Sequence, residues 1–187
     1  MAVLQQPQGV AGFGPRITEL APKGTYLATI VDVIDRFDVE RPKYQDPTVM
    51  EKVDITTFVF GFKAKDGKLY LVKTGDSPMT AMRISNGEKA KLRGFLTQLT
   101  GEAPKDGWDY CELKGSGAQI TVAHKESKKT GRPYAVISSA APVLEEAKDK
   151  VQPLSAFAAL LNGDGAAPAR GTTPAAAEDD EDGDAPF

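Results

Sequence analysis

Positive charge is concentrated in one short segment, residues 125–133, which lies between two apolar stretches. The segment holds four cations against a single acid, Glu126. The four cations are Lys125, Lys128, Lys129 and Arg132. Lys and Arg neutralise phosphates without regard to base sequence, so the segment predicts a surface that binds the backbone of a nucleic acid. The alternative is a hairpin tip whose charges are only solvated.

A second group of cations lies in residues 35–52, and tyrosines accompany both groups. Its cations are Arg36, Arg41, Lys43 and Lys52. Tyr44 lies in this stretch, Tyr134 directly follows the first group, and Tyr70 lies on an intervening strand, where it is expected to neighbour a residue of the preceding strand. A tyrosine ring tolerates water and accepts a stacked base of any sequence. Cations and tyrosines together predict a site for single-stranded nucleic acid.

Three phenylalanines, Phe58, Phe60 and Phe62, alternate along one predicted strand and therefore share one face. Ile55, Thr57 and Val59 form the other face, which is also largely apolar. We expect the phenylalanines to fill the interior of the sheet. If the other face points inward instead, the phenylalanines become the stacking platform, and the pattern alone does not decide between the two.

Chemistry that needs a metal or a nucleophile has few residues to draw on. The chain has one histidine, His124, and one cysteine, Cys111, so it cannot form an internal disulfide or a Cys/His zinc site. Acid-x-lysine fragments at Glu112 and Glu126 are compatible with a metal-dependent nuclease, but such fragments arise readily by chance in a chain with 26% charged residues. We expect no catalytic residue, no bound metal and no cofactor.

The elements that must position these residues are mostly strands. β-branched and alternating apolar residues predict strands at 25–34, 53–63, 69–74, 119–124 and 134–139. The polar residues 35–52, with Pro42 and Pro47, predict a long loop. Ser85 and Glu88 have capping-box spacing ahead of an apolar stripe that ends before Gly101, which predicts one helix between the third and fourth strands. The stripe consists of Leu92, Phe95, Leu96 and Leu99.

Composition divides the chain into four parts. Residues 1–22 form a flexible arm, 23–145 a single domain, 146–161 a short helical extension, and 162–187 a disordered linker and tail. Residues 1–161 carry 22 Lys and Arg against 19 Asp and Glu, whereas residues 162–187 carry 1 against 7. A mildly basic body with an acidic tail suits an anion-binding surface for which the tail can compete.

The last ten residues hold six carboxylates and no cation, and they end in Pro186 and Phe187. A run of like charges repels itself and buries no apolar area, so this segment is predicted to be an interaction tail. Its terminal aromatic can enter an apolar pocket of a partner. We expect Asp182, Asp184, Pro186 and Phe187 to bind that partner.

The tail and the order of elements resemble the single-stranded DNA-binding proteins of bacteria and phages, and the long loops resemble the phage-encoded members more closely. The resemblance implies a mainly β fold: a five-stranded OB-fold barrel with one helix between strands 3 and 4 and a disordered acidic C-terminal tail. It also implies protection of single-stranded DNA during DNA replication, recombination and repair. Partners would be a polymerase, a helicase or primase, and a nuclease, with a homodimer possible.

Three alternatives stay open at this point. A strand-annealing recombination protein would bind the same ligand but form large rings, an RNA-binding module would use the same stacking, and a nuclease is the enzymatic alternative. Nothing resembles a leader or a membrane-spanning run, so a cytoplasmic protein is expected, in the host cytoplasm if it is viral.

Overall fold

The computed structural model describes residues 15–128 and 130–162, and it is mainly β. The strands are β1 Gly24–Pro42, β2 Met50–Lys63, β3 Leu69–Lys73, β4 Met82–Arg83, β5 Gly117–Glu126 and β6 Pro133–Pro142. The α-helices are α1 Lys91–Thr100 and α2 Ala158–Leu161, and 3-10 helices cover Tyr110–Leu113, Glu145–Lys150 and Leu154–Phe157. All of the strands that the sequence predicts are present, and β4 is an addition.

All strand pairs are antiparallel, and they form one sheet with the order β3-β2-β1-β5-β6, while β4 pairs with β2. β3 and β6 end this order and do not pair with each other, so the sheet is not closed by hydrogen bonds. They nevertheless approach within 8 Å between Cα atoms. The two unpaired edges therefore face each other across a gap.

The prediction of a long loop at residues 35–52 is wrong. β1 and β2 stay paired as far as Pro42 and Met50, so only residues 43–49 form the turn of a long two-stranded ribbon. Pro42 is the last residue of β1, where a missing N–H breaks no ladder bond. The valines Val39 and Val53 pair across the ribbon and favour strand geometry. Proline and charge thus mark the end of a strand here, not its absence.

The helix exists, but its predicted start is wrong. α1 begins at Lys91. The residue before it, Ala90, has an extended backbone and makes no side-chain capping hydrogen bond. Ser85 instead accepts the N–H of Gly87 at 3.3 Å in the turn before the helix. The predicted end is confirmed, because Gly101 has φ 82° and its N–H bonds the carbonyl of Thr97.

The interior position of the three phenylalanines is confirmed. Phe58, Phe60 and Phe62 are fully buried in the main core. Leu92, Leu96 and Leu99 of α1 pack into the same core, which confirms the predicted apolar stripe. Buried rings cannot serve as a platform for bases without opening the core.

The opposite face of the sheet is covered by the C-terminal extension, which forms the predicted helical turns. Phe157 is fully buried and packs with Val31, Val59 and Leu71. Its ring lies over Gly61, where a Cβ atom would be 2.5 Å from a ring carbon. The Thr29 hydroxyl also donates to the carbonyl of Gln152 in the segment that leads to Phe157. Only glycine at position 61 lets the ring lie this close to β2.

No helix in the part of the chain that the structure describes is long and apolar enough to cross a membrane.

Candidate nucleic-acid interface

A cavity of about 940 Å³ lies between β3 and β6. Its third wall is residues 16–20, the segment that precedes β1. This segment is held in place because Ala21 is buried and its carbonyl accepts a hydrogen bond from Nε2 of His124 at 2.7 Å. The topology thus creates the cavity, because the strands at the two ends of the sheet come together without pairing.

Cations outnumber acids in the lining of this cavity. The cations are Arg16, Lys73, Lys91 and Lys125, and the carboxylates are Glu19 and Asp76. Burial lowers the pKa of Lys73, which the nearby Asp76 opposes. Burial is the larger of the two causes, so this ammonium group is partly removed from water.

Tyr134 joins these cations at the start of β6. It is paired in register with Lys125 of β5, and both residues line the cavity. The residue is 38% exposed, so a ligand in the cavity can reach it. The structure therefore brings together two of the predicted binding residues, one cationic and one aromatic.

The turn between β5 and β6 carries the remaining predicted cations of this hairpin. Lys128 and Arg132 are exposed, whereas Lys129 lies outside the described residues. The turn is closed by the N–H of Ser127 on the carbonyl of Arg132 at 2.9 Å and by the N–H of Gly131 on the carbonyl of Ser127 at 2.7 Å. Lys128 and Arg132 thus extend the basic character of the cavity outward along one hairpin.

The predicted residues of the ribbon do not line this cavity. Nε of Arg41 lies 2.9 Å from Oε1 of Glu51, and Lys52 is paired in register with Glu40. Arg36 is half-buried on the same strand, while Lys43 and Tyr44 are exposed at the tip, Tyr44 to 94%. Residues 35–54 hold six acids against four cations. A contribution of these residues to binding stays a prediction.

Tyr70 is also outside the cavity. Its ring stacks on Phe62 with centroids 5.9 Å apart, and its hydroxyl donates to Oδ2 of Asp66 at 2.7 Å. That hydrogen bond to a carboxylate raises the pKa of Tyr70 to about 12. The ring and the hydroxyl both have protein partners, and a role of Tyr70 in binding stays a prediction.

Sequence reasoning missed several residues of this region. Arg16, Lys73 and Lys91 are far apart in the chain, and only the approach of β3 and β6 brings them to one cavity. Phe37 was also missed, although it is 67% exposed on the ribbon. It lies beside a bulge at which Asp38 has φ 54°, and no residue type in that stretch signals such a bulge.

One polar cluster lies apart from the cavity, around Asp35. The hydroxyl of Tyr110 donates to both carboxylate oxygens of Asp35, at 2.9 and 3.0 Å. The thiol of Cys111 lies 3.9 Å from the same carboxylate. Burial and this negative charge raise the pKa of Cys111 to about 11, which keeps the thiol protonated and weakly nucleophilic at neutral pH.

Among the described residues, no three or more His, Cys, Asp or Glu side chains come together as they would around a metal ion. The predicted partner-binding residues Asp182, Asp184, Pro186 and Phe187 lie outside the described residues.

No protein-family model matches the chain, and no curated protein matches its sequence.

Proposed function

We propose that this protein binds single-stranded DNA without strong sequence preference and protects it during DNA replication, recombination and repair. The observation that carries the proposal is the position of Tyr134, part-exposed in a cavity that Lys73, Lys91 and Lys125 also line. Cations along a groove neutralise the phosphate backbone, and each base stacked on an aromatic ring adds about 1 to 3 kcal/mol. Both contacts are independent of base identity.

The preference of the protein for single strands over duplex depends on the ring of Tyr134. In a duplex the faces of the bases are covered by their neighbours, so a tyrosine can stack only on a base that is unpaired or at an end. The cations alone would bind both forms, because both carry phosphates. Selectivity for single strands therefore depends on Tyr134 more than on any lysine.

The fold that we propose is an OB-fold in which β1, β2, β3, β5 and β6 are the five barrel strands. Three features support it: the antiparallel order, the position of α1 between the third and fourth of these strands, and the basic β5–β6 hairpin beside the cavity. In OB-folds the loop between strands four and five borders the groove that binds oligonucleotides.

The acidic tail completes the proposal. Its six carboxylates are opposite in charge to the cations of the cavity, so the tail competes with DNA for the same cations. The aromatic ring of Phe187 serves as the anchor by which a polymerase, a helicase or primase, or a nuclease is recruited. The protein itself has no enzymatic role in this scheme.

The experiment is a titration with fluorescent oligonucleotides, single-stranded and as the matching duplex, at several salt concentrations. Four to six neutralised phosphates give a log-log slope of about −3 to −4 for single strands. Equal binding of duplex, or binding that salt does not weaken, contradicts the proposal. The same samples with Mg²⁺ test for a nuclease by the length of the labelled strand, and light scattering tests for the large rings of an annealing protein.

A further inference from the structure

An exposed methionine lines the cavity between β3 and β6. Met79 lies in the loop of residues 74–81, which joins β3 to β4, and it shares the cavity lining with Tyr134. It is 52% exposed, whereas Met82, three residues further along the chain, is buried in the main core. Single exposed apolar residues are common on protein surfaces, so exposure alone assigns no role to Met79. The loop that carries it supplies the second observation.

This loop is fixed at both ends. At its start, the N–H of Thr74 donates to the carbonyl of Phe58 at 3.0 Å, and the Thr74 hydroxyl accepts the N–H of Phe58 at 3.0 Å. At its end, Ala81 is buried. The two ends also touch each other, because a Cβ atom on Gly75 would lie 2.6 Å from the backbone nitrogen of Ala81. The backbone of the loop is therefore closed on itself and has little room to move.

Met79 lies at the tip of a hydrogen-bonded turn within this loop. The N–H of Thr80 donates to the carbonyl of Ser77 at 3.1 Å, and Pro78 takes the second position of the turn, where its ring fixes φ. The Thr80 hydroxyl accepts the N–H of Asp76 at 3.1 Å and the N–H of Ser77 at 3.0 Å. Thr80 thus holds the turn in shape, and the turn presents Met79 at the cavity without a further loss of backbone freedom on binding.

A thioether side chain suits a ligand whose bases vary. Methionine is unbranched and polarisable, so it adapts to apolar surfaces of different shape, and its sulfur makes favourable contacts with aromatic rings. An unstacked nucleobase offers such a ring whatever its sequence. Tyr134 belongs to β6 and Met79 to the loop after β3, so the two side chains come from the two strands that meet at the cavity.

We propose that Met79 is a second base-contacting residue of this cavity, whose side chain packs on an unstacked base of bound single-stranded DNA, and that Thr80 is the positioning residue that holds it there. The inference rests on the proposed function and deepens it, because it assigns a contact with the bases to the loop of residues 74–81. The lysines of the same lining, Lys73 and Lys91, are left to the phosphates.

Methyl NMR of the full chain, with methionine labelled at its ¹³C methyl group, locates the contact without any substitution. Met50 is the matched control, because it is 55% exposed but lies on the ribbon and not in the cavity lining. A mixed-sequence single strand should shift the Met79 methyl resonance upfield through the ring current of a base, and Met50 should move less. A Met79 resonance that stays in place at saturating DNA overturns the proposal.

An abasic strand separates a contact with bases from a contact with the backbone. A deoxyribose-phosphate oligomer of the same length brings the phosphates without the bases. At saturation it should leave the Met79 methyl resonance nearly where it is in the free protein. An equal shift with the abasic strand would show that Met79 does not pack on a base, and the proposal would be wrong.

Substitutions measure how much the contact contributes to binding. Met79→Ala should weaken binding of single strands about twofold to tenfold with an unchanged salt slope, because an apolar contact and no ion contact is lost. Met50→Ala is the control and should bind like the wild type. A Met79→Ala protein with wild-type affinity contradicts the proposal, and thermal unfolding checks that both variants are folded.

Thr80 is tested through its dependence on Met79. Thr80→Val removes the hydroxyl that holds the turn, so its loss of affinity should approach that of Met79→Ala, whereas Thr80→Ser keeps a hydroxyl and should bind like the wild type. In the Met79→Ala background, Thr80→Val should cause little further loss, because no methionine is left to position. A full additional loss in that background would refute the positioning role.

The wild-type protein separates this inference from the proposed function. If it binds single strands while the Met79 resonance and the affinity of Met79→Ala both stay unchanged, the inference is wrong and the proposed function stands. If the wild type does not bind single strands, the proposed function is wrong, and the inference falls with it. The NMR measurement needs no variant, so it decides between these outcomes even where a substitution disturbs the fold.

Discussion

The two long hairpins of this protein are both antiparallel, but their charged residues are arranged in opposite ways. In β5–β6, Lys125 is paired with Tyr134, and the turn adds Lys128 and Arg132 with one acid, Glu126, in the hairpin. In the β1–β2 ribbon, cations are paired with acids, as in Arg41 with Glu51 and Lys52 with Glu40. A cation whose cross-strand neighbour is an acid has its charge partly neutralised, whereas Lys125 has an uncharged tyrosine in that position.

The largest expected effect comes from the basic hairpin. Replacing Lys125, Lys128, Lys129 and Arg132 by Ala should weaken binding of single strands on the order of a thousandfold at about 50 mM salt and reduce the salt slope by up to about 2.8. The matched variant replaces Arg36, Arg41, Lys43 and Lys52 of the ribbon, and its loss should be clearly smaller. An equal loss from both variants, measured by fluorescence titration, would show that the two hairpins do not differ as we propose.

Two tyrosines give the same comparison for stacking. Tyr134→Ala should cost about 1 to 3 kcal/mol of binding free energy, or roughly 5-fold to 150-fold in affinity, with an unchanged salt slope because no ion contact is lost. Tyr44→Ala, at the ribbon tip, is the control and should lose less. Thermal unfolding should confirm that both variants stay folded. A larger loss for Tyr44→Ala would place the stacked bases on the ribbon.

The acidic tail gives a second test of the hairpin cations, because it is expected to compete for them. Deleting residues 178–187 should tighten DNA binding several-fold at low salt, because six carboxylates no longer compete for the cations, and salt should reduce the difference. In the hairpin variant without its four cations, the deletion should have little effect on affinity. A deletion that weakens binding in either background would contradict the competition.

Removing Phe187 alone should separate recruitment from competition. All six acidic side chains remain, so DNA affinity should change less than twofold, while a polymerase, helicase or other partner loses its aromatic anchor. Capture of partner proteins from the source cell with full-length and Phe187-deleted protein measures this. Equal capture by both proteins would remove Phe187 from the partner site.

The smallest effect is expected at the ribbon ion pair. Arg41→Ala should lower the free energy of unfolding by about 1 kcal/mol or less, because the pair with Glu51 is only partly shielded from water. Its effect on DNA affinity should be equally small. Urea unfolding and a titration of the same sample measure the two quantities, and a loss of affinity above tenfold would show that Arg41 contacts the ligand despite its partner.

Local pattern predicts the strands and the centre of the helix well, because each depends on a few neighbouring residues. Phe58, Phe60 and Phe62 alternate, and the structure buries all three. Local pattern failed at 35–52, where the pairing of Val39 with Val53 outweighs the proline and charge signals of the intervening residues. It also failed at the helix start, because the Ser85 hydroxyl bonds the nearby Gly87 N–H instead of a helical amide.

The candidate site was only partly predictable because some of its residues are far apart in the sequence. Lys125 and Tyr134 are near each other in sequence, so a hairpin prediction already brings them together. Lys73 and Lys91 reach the same cavity only because β3 and β6 meet at the ends of the sheet. No local signal reports such a contact, since it depends on the curvature of the whole sheet.

The contact between Gly61 and Phe157 joins a strand near the start of the described chain to a segment near its end. β1, β2 and β3 are synthesised before Phe157, so on the nascent chain Val31, Val59 and Leu71 lack the ring that buries them in the finished fold. A chain that stops before residue 157 would keep this apolar surface permanently exposed to chaperones and proteases. Packing of this face of the sheet is therefore completed only when the chain has been synthesised as far as Phe157.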